Sequence, residues 1–327
     1  MSSGEEDNQL LRKQLLSIVS ISLTVLLMYL VISSVGLDEL ITAVRNANPL
    51  FILLAFLWAQ LLNLPGVFKL QGLLRAQGYR VPFFYLFRVY HIGVFFNHFL
   101  PSNVGGDFVR AYEIGKTTHD PATSLAAVFV ERLTGFMVLV IFAVIALVTR
   151  IALVENPLLT LAVLGVTFGL IMIVWLAVDK RLIVWFERVL PKALHKYLAK
   201  FGKFQTSLYR YQNQPRALLR ALWWSLLFNA GAIVYSWLTA LAFHQPISLL
   251  DMATIIPLTM VVAIVPLSFN GIGLQEWAFV LLFPLIGVPA SVGLSAMLTI
   301  RLITLSTALL GGVFYLHKQF RREAAIA

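Results

Sequence analysis

Apolar windows nearly free of charge, each able to fill much or all of about 30 Å of hydrocarbon, recur along the whole chain. The clearest are Leu15–Val35, Pro49–Phe68, Gly135–Thr149, Pro157–Val178, Ala221–Phe243 and Pro289–Leu316. No soluble domain could bury all of them, since 59% of the residues are hydrophobic and only 12% charged. Soluble domains carry about 25% charged residues. In lipid every backbone N–H and C=O must be satisfied within the protein, and windows of this length do so as helices. The sequence therefore predicts an all-α polytopic membrane protein. Leu15–Val35 follows Arg12 and Lys13 and is too long for a signal-peptide core, so it reads as a retained first span. The absence of cysteine excludes disulfides, thiolate metal sites and cysteine nucleophiles.

The net charge of +10 is concentrated. Between Lys180 and Arg220 lie ten basic residues and a single acid, Glu187. Lys69, Arg75 and Arg80 follow the second span, and Lys318, Arg321 and Arg322 come near the end. Loops rich in Lys and Arg stay cytoplasmic, which puts both termini and all three clusters on that side of the cell membrane. Trp185, Phe186, Leu190, Leu194, Tyr197, Leu198 and Phe201 also give residues 180–220 the character of a basic amphipathic segment on anionic lipid headgroups. A patch held between spans is not expected to meet nucleic acid.

Simple span counting contradicts that orientation. If Pro82–Leu100 crossed the membrane, Lys180–Arg220 would fall outside. The conflict disappears if residues 82–116 form a re-entrant hairpin that turns near Pro101. In the second half Met252–Val265 and Trp277–Ile286 are short for spanning, and Pro266–Glu276 between them is rich in turn formers. Residues 252–286 then form a second hairpin. Six full spans and two hairpins fall into two inverted repeats, 15–150 and 157–316, within a single membrane domain. The residues repeat as well. Pro101-Ser102-Asn103-Val104-Gly105-Gly106-Asp107 and Pro266…Ser268-Phe269-Asn270-Gly271-Ile272-Gly273…Glu276 both run proline, serine, asparagine, glycine, acid. Arg132 follows Asp107 by 25 positions, Arg301 follows Glu276 by 25, and a leucine follows each arginine. Inverted repeats with broken helices are the architecture of secondary transporters.

Arg132 and Arg301 lie about 15 and 18 Å along their helices, near mid-membrane. An arginine there costs at least about 2.5–3.5 kcal/mol unless paired or wet. Asp107 and Glu276 are the partners by repeat position, with Glu131 a further carboxylate. These groups are expected to pair charge or carry protons, and the arginines to meet an anionic substrate; pairs that merely pin the hairpins are the structural alternative. Ser102, Asn103, Gly105 and Gly106, with the helix start beyond them, form a candidate anion site. Arg110, one turn on, would offer a fork to a phosphate. Asn270, Gly271 and Gly273 are the counterparts in the second tip. His91 and His98 share a helix face and read as packing residues, without the third ligand a metal needs. Gly165-x-x-x-Gly169 and Ala308-x-x-x-Gly312 predict close helix packing within the bundle. Walker, dinucleotide-binding, zinc-protease and hydrolase signatures are absent, and no cofactor is expected.

The run from Asn97 to Arg110, then Glu131-Arg132-Leu133, then Pro266…Asn270-Gly271-x-Gly273-x-x-Glu276, resembles the lysylphosphatidylglycerol synthase transmembrane family, also called flippase-like integral membrane proteins. The resemblance covers essentially the whole chain. It implies a flippase moving phospholipids or polyprenyl-phosphate-linked lipids between leaflets. Some members carry a soluble synthase domain; the chain stops at Ala327, so lipid aminoacylation is not carried over. The expectation is a non-enzymatic lipid transporter, with membrane lipid as substrate. The alternatives are an intramembrane lipid transferase using Asp107, Glu131 or Glu276 as base, or a scaffold partnering a lipid-modifying enzyme.

The orientation is testable because the chain has no cysteine. A single Lys200→Cys variant is expected to react with an impermeant maleimide only after the membrane is opened. Labelling of intact cells would overturn the two-hairpin topology.

Overall fold

The computed structural model describes Tyr29 and residues 37–99, 104–149, 157–179, 195–264 and 271–323. Nearly all of the first window, residues 180–194, and residues 100–103 and 265–270 of the two hairpin tips lie outside them. Among the described residues eleven α-helices follow in order: α1 (Leu37–Arg45), α2 (Pro49–Ala76), α3 (Phe83–Phe99), α4 (Gly105–Thr118), α5 (Pro121–Thr149), α6 (Pro157–Val178), α7 (His195–Arg210), α8 (Pro215–Leu241), α9 (Leu249–Ile264), α10 (Leu274–Leu282) and α11 (Ala290–Glu323). Five are long and apolar enough to cross a membrane: α2, α5, α6, α8 and α11. The protein is an all-α polytopic membrane protein.

α2 and α8 run antiparallel along their whole length. Asn48 N–H donates to Ala242 O at 2.7 Å at one end. Trp58 Nε1 donates to Gly231 O at 2.9 Å farther along, and Gln214 Nε2 to Ala76 O at 2.7 Å at the other end. The other elements arrange around this pair. α3 packs on α2, α4 and α11; α9 packs on α8, α10 and α5. α1 rests on α11 and α7 rests on α5. Exchanging α1–α5 for α7, α8, α9, α10 and α11 leaves this packing scheme unchanged.

α3 and α4 form a helical hairpin whose legs close at their base. Tyr85 Oη donates to Glu113 O at 2.8 Å, and Tyr79 Oη to Asp120 Oδ2 at 3.0 Å. The chain thus returns to the level from which it entered. The Glu113 carboxylate also pairs with Lys318 of α11, so the end of α11 lies at this same level. Lys116 and Lys318 meet there on Glu113, and Arg75 lines one cavity with Arg216 and Arg220 and another with Arg80. α10, nine residues or about 14 Å long, cannot span. It folds back beside α9, with Gly271 against Ala263.

Glycine permits the closest helix approaches. A Cβ on Gly106 would come 1.9 Å from Gly93 O, joining α4 to α3, and one on Gly311 would come 1.9 Å from His91 O, joining α11 to α3. Ala308 is fully buried, and Gly312 abuts Phe95, so that motif packs tightly. Gly165 and Gly169 do not. Among the described residues a Cβ on either meets nothing within 4 Å, on a helix whose Leu161, Leu164, Phe168 and Ile171 are exposed. Of the basic segment, residues 180–194 lie outside the described residues. Its described part, α7, docks on α5 through Phe204 against Phe129 and a Thr123–Ser207 hydroxyl contact of 3.0 Å.

Gly106→Ala and Gly311→Ala are each expected to lower stability by about 1–3 kcal/mol through overpacking against backbone. Gly165→Ala should be neutral or stabilising by up to about 1 kcal/mol, from helix propensity. Thermal unfolding of the three purified variants checks the contrast.

Candidate functional site

Five charged side chains meet where α2, α4 and α5 pack together. α5 supplies Glu131 and Arg132 from the middle of a 29-residue helix. α4 supplies Asp107 and Arg110, one turn apart and so on one face. α2 supplies Lys69. They form a chain. Lys69 Nζ lies 3.4 Å from Glu131 Oε1, and Glu131 Oε2 lies 3.0 Å from Arg110 Nη2. Arg110 Nη2 donates to Asp107 Oδ1 at 2.5 Å, and Arg132 Nε lies 2.9 Å from Asp107 Oδ2. Lys69 also donates to Ser225 Oγ at 3.0 Å. The Arg110 guanidinium sits 4.8 Å from the Tyr90 ring centre, within cation–π range.

Lys69, Asp107, Arg110 and Glu131 are no more than 5% exposed. Only the Arg132 side chain, at 31%, keeps substantial exposure. With three cations and two acids the chain carries one excess positive charge. Beside Arg132 lies a cavity of about 220 Å³ whose walls are almost wholly apolar: Phe108, Phe129 and Phe136 on one side, Leu170 and Ile173 of α6 on the other. Asp107 and Arg132 are its charged residues. The arrangement offers a fixed cation at the edge of an oily cleft.

The second half keeps one link of this chain. Glu276, fully buried, accepts from Arg301 Nε at 2.5 Å. Its other oxygen accepts from Gly273 N–H at 2.7 Å, closing the start of α10. Arg301 Nη2 reaches Gln275 Oε1 at 3.4 Å. Each arginine therefore places its Nε on the carboxylate 25 positions earlier. The offset of 169 that relates Asp107 to Glu276 also takes Arg110 to Phe279 and Glu131 to Ile300. The inner ion pairs are replaced by apolar packing.

Other expected site residues fall differently. Gly106 N–H is taken by Asn97 Oδ1 at 2.8 Å, so this amide is not open to an anion. Arg110 faces inward and serves two carboxylates rather than presenting a fork at the tip. Gly105 opens α4. Gly271 and Gly273 have φ of 68° and 85°, which a side chain would strain. Ser102, Asn103 and Asn270 lie outside the described residues. His91 and His98 each bond through Nδ1 to the carbonyl four residues earlier, at 2.9 Å. His91 also packs on Phe87 and Phe314, as a packing residue does.

Lys69 is the site residue that the sequence reading misplaces. Grouped with Arg75 and Arg80 as a loop cation, it is instead buried two turns before the end of α2. Its neighbours Val67, Leu70, Leu73 and Leu74 were the available signal, since a lysine among them must find a partner.

Comparison with known proteins adds relatives of similar length. The chain is 23% identical over 306 residues to a UPF0104 membrane protein of Methanocaldococcus jannaschii, covering 88% of this chain and 90% of that one. It is 24% identical to a UPF0104 membrane protein of Pyrococcus horikoshii, covering 94% and 97%. A third such protein, from Methanothermobacter thermautotrophicus, is 25% identical over 83% of this chain and 86% of its own. The model of the lysylphosphatidylglycerol synthase TM region matches residues 17–312. With nearly the whole chain matched, this protein belongs to the lysylphosphatidylglycerol synthase TM region family.

Proposed function

We propose that the protein moves a lipid with an anionic headgroup between the leaflets of the cell membrane, without catalysing a reaction. The observation that carries this reading is the position of Arg132, a partly exposed cation at the edge of an apolar cavity in a membrane-spanning bundle. An amphiphile has the complementary form, with an acyl chain for the aromatic wall and a phosphate for the guanidinium. Arginine's planar fork suits phosphate and stays charged in a dry site. The packing scheme that survives exchange of the two sets of helices supports two inverted repeats, and with them alternating exposure of a shared site. Asp107, Glu131 and Glu276 act in this reading as counter-ions, each paired with at least one cation. The basic clusters and both termini are placed in the cytoplasm.

The two arginines differ in what their loss would leave behind. Without Arg132, Asp107 keeps Arg110 at 2.5 Å. Without Arg301, fully buried Glu276 keeps no cation among the described residues, which costs about 3–5 kcal/mol. Arg132→Ala is therefore expected to abolish leaflet exchange of labelled phosphatidylglycerol in proteoliposomes with little change in thermal stability, and Arg132→Lys to recover little. Arg301→Ala should unfold at markedly lower temperature, with Arg301→Ala/Glu276→Gln regaining most of the loss. Undiminished exchange by Arg132→Ala would overturn the reading.

A further inference from the structure

A second cavity, of about 590 Å³, opens where the end of α2 meets the start of α8. Its walls carry four cations, Lys69, Arg75, Arg216 and Arg220, and no acidic residue. Arg75, Arg216 and Arg220 are exposed and make no ion pair among the described residues. Like charges gathered in one crevice repel, and an anion bound among them would remove that cost. α8 begins here with a proline at its first turn and no side-chain cap on its N-terminal amides. The positive end of a 27-residue helix thus adds to the field of the four side chains.

One aromatic residue, Trp224, stands in the outer wall. It stacks on Phe68 at 5.1 Å, and Phe68 packs on Phe83 at 4.9 Å. A tryptophan beside basic residues suits the level where lipid headgroups meet hydrocarbon. At the inner wall Lys69 is 5% exposed and begins the ion chain that ends at Arg132. The crevice and the Arg132 cavity therefore lie at opposite ends of one buried row of charges.

We infer that this crevice binds the phosphate headgroup of an anionic membrane lipid, held by Arg75, Arg216 and Arg220 at the rim and faced by Lys69 from within. The site is separate from the Arg132 cavity, and its occupancy does not require transport. Phosphate could also arrive free in solution, but Trp224, backed by Phe68, favours a phosphate attached to an acyl chain.

The test uses the full-length protein in detergent with an environment-sensitive fluorophore on Asn213→Cys, a position on the crevice wall in a cysteine-free chain. Short-chain phosphatidylglycerol is expected to give a saturable signal. Phosphatidylcholine of the same chain length and inorganic phosphate should give none in the same concentration range. Arg216→Gln/Arg220→Gln should weaken phosphatidylglycerol binding at least tenfold while thermal unfolding stays that of the parent, since both side chains are exposed. Arg132→Ala should bind as the parent does, which separates this site from the transport reading. Equal response to phosphatidylcholine or to inorganic phosphate, or unchanged affinity in the double variant, would overturn the proposal.

Discussion

Lys69, Glu131, Arg110, Asp107 and Arg132 neutralise one another where water is scarce, and the packing of the first half depends on that. Each ion taken out of water costs several kcal/mol, offset only when partners are close and well aimed. The partners come from three separate helices, so α2, α4 and α5 can dock in very few ways that leave no carboxylate bare. The glycine seam serves the same requirement. A Cβ on Gly93 would come 2.4 Å from Arg110 Cγ. Glycine there lets the arginine stem pass between α3 and α4 to reach Glu131. In a bilayer, where apolar surface gives helices little reason to associate, close packing and polar contacts supply the specificity.

The two halves share a packing scheme and differ in chemistry. Asp107–Arg132 and Glu276–Arg301 occupy equivalent places and use the same arginine nitrogen. Behind the first pair stand further ions; behind the second stand Phe279, 2% exposed, and Ile300. The second pair is therefore electrically closed, with Glu276 also fixed by the Gly273 amide. The first ends in a partly exposed arginine and carries a surplus positive charge. Equivalent positions thus differ in surroundings, the one neutral and enclosed, the other more exposed.

Much of this was legible in the sequence because lipid imposes blunt rules. Long apolar windows gave the class and five of the spans, and the charge bias required the chain to double back near Pro101. The 25-residue spacing named two ion pairs correctly. What the sequence does not display is set by direction rather than by spacing. Lys69 and Arg75 are six positions apart on one helix, yet one is buried and the other exposed. Arg110 lies one turn from the tip but points into the core. Gly165 and Gly169 have the spacing of a packing motif, yet among the described residues nothing comes within 4 Å of where their side chains would be. The crevice between α2 and α8 joins residues far apart in the chain, Arg75 and Arg216 among them, which no local pattern announces.

The walls of the Arg132 cavity are unequal. α4 and α5 are joined by Asp107, Arg110, Glu131 and Arg132, so parting them would expose charge to hydrocarbon. α6 contributes Leu170 and Ile173 and no charged group to the same cavity. About 11% of its span is buried, against 39% for α5. Moving α6 exchanges protein contacts for lipid contacts of similar apolar character, whereas moving α4 breaks ion pairs worth several kcal/mol. If the cavity admits a lipid chain, the wall that yields is α6. Among the described residues nothing closes on Gly165, whereas Gly106 and Gly311 lie directly against the backbone of α3.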